Sequence, residues 1–273
     1  MPSKRMKKPK IDVEPLRSGL DTLLSATENA VAISDRSIGK VHTGRQRRAL
    51  SVFAKMITHN MAIIALARNF LDDTSEEGIL DHFSIGTVAR ASIDAALMTM
   101  YISEPKLTLC IWDFRRQLLF LHDVNNRSRF LKPLRKQGVE FGFFENYEVI
   151  RKGIQDKIRV LGASLLYSEE KIAEYQRGSH LFVDGIRGAA REAGWDVDNF
   201  DFNQSYLSAY VHSHPVSFMR FDEHEISFSG GSKFQIDFCH YVLEMTAEYT
   251  QSVVDRMKAF SVPGTGDPHG HLE

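Results

Sequence analysis

The chain has 273 residues, 43% of them hydrophobic and 25% charged, with 34 Lys and Arg against 35 Asp and Glu. That content allows one large domain with a sizeable core, and the even charge balance excludes a global basic field, so nucleic-acid binding would need a local patch. Two isolated cysteines, Cys110 and Cys239, exclude a disulfide framework or a cysteine zinc motif and read as buried thiols in a reducing cytosol.

The opening MPSKRMKKPK is basic with no apolar run after it, so residues 1–11 read as a solvated tail rather than a secretory signal. Val13, Leu16, Leu20, Leu23, Leu24, Thr27 and Val31 then share one helical face and predict a helix over 13–33, with Pro15 suited to its first turn. GKVHTG (39–44) breaks the chain, and a second helix is predicted over 45–71, before the solvated link DDTSEEG (72–78). A third, over 79–103, is closed by Pro105; a fourth, over 106–131, ends before a break marked by Pro133 and Gly138. A charged amphipathic helix follows over 144–162. Ser168 caps a short helix stopped by Gly178, and another over 182–193 stops at Gly194.

A helix over 200–213 is closed by Pro215. Loose alternation over 216–231 predicts a short β-hairpin or an extended loop. Ser232 caps a last long helix to residue 260, and SVPGTGDPHGHLE (261–273) reads as a disordered tail. The expected fold is all-α: one domain over 12–260, a bundle of seven to nine helices packed in antiparallel pairs. No apolar run reaches bilayer length, the longest including MAIIALA and AALMTMYI, so no membrane partner and a cytoplasmic location are expected.

Polar residues inside apolar helices are the candidate sites. From Phe83 to Tyr101 only Arg90 and Asp94 are charged, four residues apart on one face, and a helix this apolar is expected to bury them at least in part. The pair is either an internal salt bridge or an Arg held rigid for phosphate or carboxylate. Near residue 213, Ser205, Ser208 and His212 form a polar stripe, with His214 at the exit. His212 has several readings: a hydrogen-bonded ring at a helix junction, a partner of Arg90 and Asp94, a base for Ser208, or a metal ligand with His214 and the nearby His224 and Glu225. His59 and Asn60 interrupt MITHNMAIIALA and read as satisfied core polar groups.

VARASIDAALMTMYI, IWDFRRQLLFLHD and GWDVDNFDFNQSYLSAYVHSHP together resemble a widespread family of bacterial helical proteins of unknown function, over residues 45–260. Its members carry an Arg-x-x-x-Glu helix and a later Tyr-x-x-x-Ser-x-x-x-His-like segment. Arg90 takes the Arg position, Asp94 replaces the Glu with a shorter carboxylate, and Ser208 and His212 fit the later segment. That family is distantly similar to HEPN-type helical domains, many of them ribonucleases of toxin or antiviral systems. HEPN nucleases place Arg and His four to six residues apart on one helix; RRQLLFLH offers Arg116 and His122, with Gln117 where a polar residue follows the Arg, and RSIGKVH (36–42) is a second match in a chain break.

The resemblance implies a metal-independent ribonuclease or phosphate-handling enzyme. His212 would be its general acid or base, Arg90 would bind phosphate and Asp94 would orient either; no cofactor or metal is implied. The partners would be RNA or a phosphate-containing ligand, with GRQRR (44–48) and the N-terminal tail as basic contacts, and a second copy of the chain. The alternative is a non-catalytic dimerising or sensor protein in which the cluster is structural and helix 232–260 offers the dimer face.

Overall fold

A computed structural model of the chain describes residues 11–72, 78–139 and 142–264. Most of the expected N-terminal tail, the centre of the 72–78 link and the end of the C-terminal tail lie outside the described residues. Among those described, nine α-helices and no strand are present: α1 (Glu14–Ser37), α2 (Gly44–Asp72), α3 (His82–Ile102), α4 (Leu109–Lys136), α5 (Tyr147–Ser164), α6 (Glu169–Tyr175), α7 (Gly185–Glu192), α8 (Val197–Val211) and α9 (Lys233–Phe260). The all-α reading holds.

The helix starts follow from short polar side chains. Asp81, Thr108, Ser168 and Ser232 each accept a hydrogen bond from a first-turn backbone N–H, taking up donors with no partner inside the helix. Two expectations are corrected. Pro133 does not end α4, which runs through it to Lys136; the missing N–H forfeits one bond near the helix end, and the last turn closes beyond it. The segment 216–231 is no hairpin. It is a single 3-10 turn, Pro215–Ser217, followed by further turns. Local bonds such as His224 N–H to Arg220 O and Ile226 N–H to Phe221 O, both 2.9 Å, satisfy its backbone in place of a ladder.

The residues expected to form one domain are divided between two compact units, Glu104–Val197 and the segments on either side of it. In the flanking unit, α9 lies at the centre and packs on α1, α2 and α3. Antiparallel packing holds for α2 against α3, where Arg45 Nε donates to Ile102 O at 2.8 Å. It also holds for α2 against α9, where Gln46 Nε2 donates to Phe260 O at 2.8 Å. It fails for α9 against α1 and α3. Thr22 meets Glu244 and Gly86 meets Phe238, near the start of each helix, while Arg256 meets Met100 near the end. With α2 turned between them, α1 and α3 run the same way, and a helix antiparallel to α2 runs with both. The expected dimer face on α9 is spent here: Val242, Leu243, Val253, Val254 and Met257 are fully buried.

One side chain joins four of these helices. Asn60, fully buried on α2, donates from Nδ2 to Thr250 Oγ1 on α9 at 2.8 Å and to Thr27 Oγ1 on α1 at 3.4 Å. Its Oδ1 accepts from Ser92 Oγ on α3 at 2.5 Å. Both threonine hydroxyls send their own hydrogens to the carbonyl four residues back, at 2.7 Å, which leaves their oxygens free to accept. Both donors of the Asn60 amide and its oxygen are thereby engaged, as a buried amide requires. His59 differs: its Nε2 is enclosed with no hydrogen-bond partner among the described residues. α2 is also the one described helix long and apolar enough, by length and composition, to cross a bilayer, which corrects the expectation that no such run exists. Here Phe53, Met56, Ile63 and Ala67 on its inner face are fully buried.

In the inserted unit α4 pairs with α5 over a core of Phe114, Leu118, Leu121, Ile158, Tyr175 and Val183. Arg115, buried, grips Glu192 of α7 with two bonds of 2.8 and 2.6 Å. Gly178 has φ +72°, and a Cβ there would lie 2.2 Å from Asn125 Nδ2, so only glycine fits. Cys239 is buried and its thiol is pushed up by burial, while Cys110 is only half-buried.

Two outcomes follow from the core. Asn60→Ala strands the Ser92 hydroxyl and opens a cavity, and should lower the urea-unfolding free energy by about 3 kcal/mol; Thr250→Val should cost about 1 to 2 kcal/mol and show strong coupling to it in a double-mutant cycle. His82, 1% exposed among Phe83, Tyr210, Phe234 and Phe238, is held by burial down to about 4 from 6.5, against the opposing pull of the Leu80 backbone and Asp81. The unfolded imidazole takes its proton near pH 6.5 and the folded one only near 4, so stability falls as pH drops through that window, by up to about 3 kcal/mol. His82→Phe should flatten that part of the stability profile measured by urea unfolding.

Candidate functional site

α8 runs antiparallel to α3, and both present polar residues four apart to the other. Arg90 lies opposite Ser208 and Asp94 opposite Gln204. Arg90 Nε donates to Ser208 Oγ at 3.2 Å, Arg90 Nη1 forms an ion pair with Asp94 without a hydrogen bond, and Gln204 Nε2 donates to Asp94 Oδ1 at 3.1 Å. Tyr210 and Phe238, with centroids 4.7 Å apart, set the end of the seam. The Arg90 side chain is 17% exposed and that of Asp94 51% exposed. The pair therefore sits at the rim of the seam, with the carboxylate half in water, where desolvation costs least.

His212 and His214 do not join this cluster. Both lie past the end of α8, exposed, with their rings stacked on each other at 5.7 Å. Among the described residues neither imidazole makes a hydrogen bond or ion pair. Ser208 Oγ is engaged by Arg90 rather than by His212. His224 is stacked flat on Phe234 at 3.9 Å, and no group of three His, Cys, Asp or Glu among the described residues is placed to hold a metal. For His214 the reason lies at the helix end: Ser213 takes φ +50° and His214 N–H bonds back to Ala209 O at 2.9 Å, which turns the chain away as a helix terminus does; His212 N–H still bonds to Ser208 O at 3.0 Å, and its side chain is exposed there.

Arg116 and His122 both lie on α4 but do not meet. Arg116 pairs with Asp113 at 2.9 Å, and His122 lies 3.0 Å from Asn126 Nδ2. Six residues rotate a helix by about 240° beyond a full turn, so the two project from different faces. Burial, then nearby Arg129, pulls the His122 imidazole below its ordinary range.

Several polar contacts of the seam escaped the sequence reading. Gln204 is one. Its neighbour Asn203 is another, buried between Tyr241 Oη at 2.5 Å and Tyr249 Oη at 3.2 Å on α9. The adjacent Asn-Gln in FDFNQSYLSAY was the available signal, an amide pair facing two helices at once. A cleft of about 520 Å³ lies along α1 and α9, lined by Thr22, Asn199, Tyr241, Glu244, Glu248 and Gln251. Its two carboxylates disfavour phosphate, and none of the five primary candidates lines it. Comparisons of the chain with family models, with curated proteins and with solved structures find no match in any of the three.

The geometry separates the candidates by stability. Arg90→Ala, which strands Ser208 and half of the Asp94 contacts, should cost about 1 to 2 kcal/mol. His212→Ala and His214→Ala should stay within about 0.5 kcal/mol of wild type in chemical denaturation.

Proposed function

We propose that this chain is a non-catalytic binding and interaction protein, in which Arg90, Asp94, Ser208 and Gln204 form a structural tie between α3 and α8. The observation that carries this reading is where the polar atoms go. Arg90 is directed at Ser208 and Asp94, and Asp94 also receives Gln204. A general base must reach the proton it removes, directly or through one water. Among the described residues no imidazole enters this cluster, and the two nearest in sequence make no polar contact that would orient them.

The ribonuclease reading would need the HEPN-like pair to converge as well. Arg116 is tied to Asp113 on its own helix, and His122, lowered by burial and then by Arg129, is engaged with Asn126 rather than with Arg116. Both facts favour roles in the helix surface over catalysis.

Incubation of the wild-type protein with a mixed-sequence RNA, with and without a chelator, tests this. The RNA is expected to remain intact at all times sampled, for wild type as for His212→Ala and Arg116→Ala. Metal-independent cleavage that vanishes in either variant while its melting curve is unchanged would replace this reading with the nuclease.

A further inference from the structure

We propose that a second site, a basic cleft between the C-terminal half of α4 and the start of α5, binds the phosphate group of a small phosphorylated ligand. The cleft encloses about 480 Å³. Ser128, Arg129, Lys132 and Lys136 line it from α4, and Tyr147 and Arg151 from α5. Positions 128, 132 and 136 repeat every four residues and 147 and 151 do the same, so two facing helices each turn one row into the same space.

Charge and burial both point to an anion. Among the described residues four cations and no carboxylate line the cleft. Among the described residues Arg129, Lys132 and Lys136 make no ion pair, and Arg151 has only Glu148, at 3.8 Å. Four like charges converging, three of them with no counter-ion among the described residues, repel one another, and a bound anion relieves that. The second observation is independent of charge. Ser128 is 2% exposed, yet among the described residues its Oγ has no hydrogen-bond partner, and the buried Nε of Arg151 has none either. A helical serine usually spends its hydroxyl on the carbonyl one turn back, and a buried polar group left alone asks for a ligand. A phosphate oxygen accepts from Ser128 and Arg151 while Arg129, Lys132 and Lys136 neutralise the remaining charge.

The shape favours a small ligand over a nucleic-acid strand. The donors that lack partners, Ser128 Oγ and Arg151 Nε, are enclosed atoms in a cleft of about 480 Å³, which suits a terminal phosphate better than a continuous backbone. Tyr147, which also lines the cleft, offers its ring to the body of the ligand.

Calorimetric titration of the full chain with inorganic phosphate, with 5′-AMP and with a short single-stranded RNA tests the proposal, alongside Ser128→Ala, Lys132→Gln and, as an off-site cation, Lys152→Gln. AMP is expected to bind more tightly than phosphate. Ser128→Ala and Lys132→Gln should each weaken AMP by about tenfold, and Lys152→Gln should leave it unchanged. Ser128→Ala should melt at or above the wild-type temperature, since it removes an unmet hydroxyl. No binding of phosphate or AMP at millimolar concentration overturns the site, as does AMP binding indifferent to Ser128→Ala. RNA binding that Lys152→Gln weakens as much as Lys132→Gln, with none of AMP, also overturns it and leaves a nonspecific nucleic-acid surface. RNA cleavage would sink the non-catalytic reading without touching this site, because the two rest on different residues.

Discussion

A carboxamide with no access to water, on Asn60, is the point at which α1, α2, α3 and α9 are locked in register. Apolar faces alone would allow these helices to slide by a turn at small cost, because one leucine replaces another in a groove. An amide with four hydrogen-bonding positions does not slide, since any other register leaves buried groups unpaired. Thr250 meets Asn60 with α9 running alongside α1 and α3, and Tyr210 of α8 finds Phe238 where Gly86 leaves room for it. The seam that brings Arg90 to Ser208 and Asp94 to Gln204 is thus a consequence of the core, several helices removed from it.

The helices were legible in the sequence because their information is local. Apolar spacing, a capping Ser, Thr or Asp and a stopping Gly suffice to place α1, α2, α6 and α9 within a few residues. The pairing of Arg90 with Asp94 was legible for the same reason, being four apart on one helix. What could not be read was whatever depends on a second helix or on a chain end. The run of α9 alongside α1 depends on α2 lying between α1 and α3. The exposure of Asp94 depends on where the edge of α8 falls. The separation of His212 from Arg90 depends on where its ring goes at the helix end: its N–H still bonds back to Ser208 O at 3.0 Å, yet the side chain stands in solvent beside His214. A helical wheel extended through Ser213 keeps His212 on the Ser208 stripe and carries no sign that the ring ends in solvent. Alternation over 216–231 reads equally as strand or as successive turns, because no partner strand is encoded beside it.

The polar groups that interrupt the apolar helices sort by whether their hydrogen bonds are complete. Asn60 and Asn203 are answered within the protein, and Arg90 is paired with Ser208 and Asp94, with one carboxylate half in water and the Nη1 of Arg90 held by the ion pair alone. Groups in this state hold helices together, and their removal is felt as lost stability. Ser128 and Arg151 are in the opposite state, enclosed and unanswered beside three cations with no counter-ion among the described residues. RSRFLKPLRK, five cations in ten residues with no acid, was visible in the sequence, yet composition cannot distinguish a solvated helix end from a cleft. The distinction comes from α5, which lays Tyr147 and Arg151 opposite that run and closes water off from the serine beneath it. An arginine in an apolar helix attracts attention because burial is costly, and that cost is the reason the protein satisfies it internally. A binding site in a fold of this kind is better sought where the chain has left the cost standing.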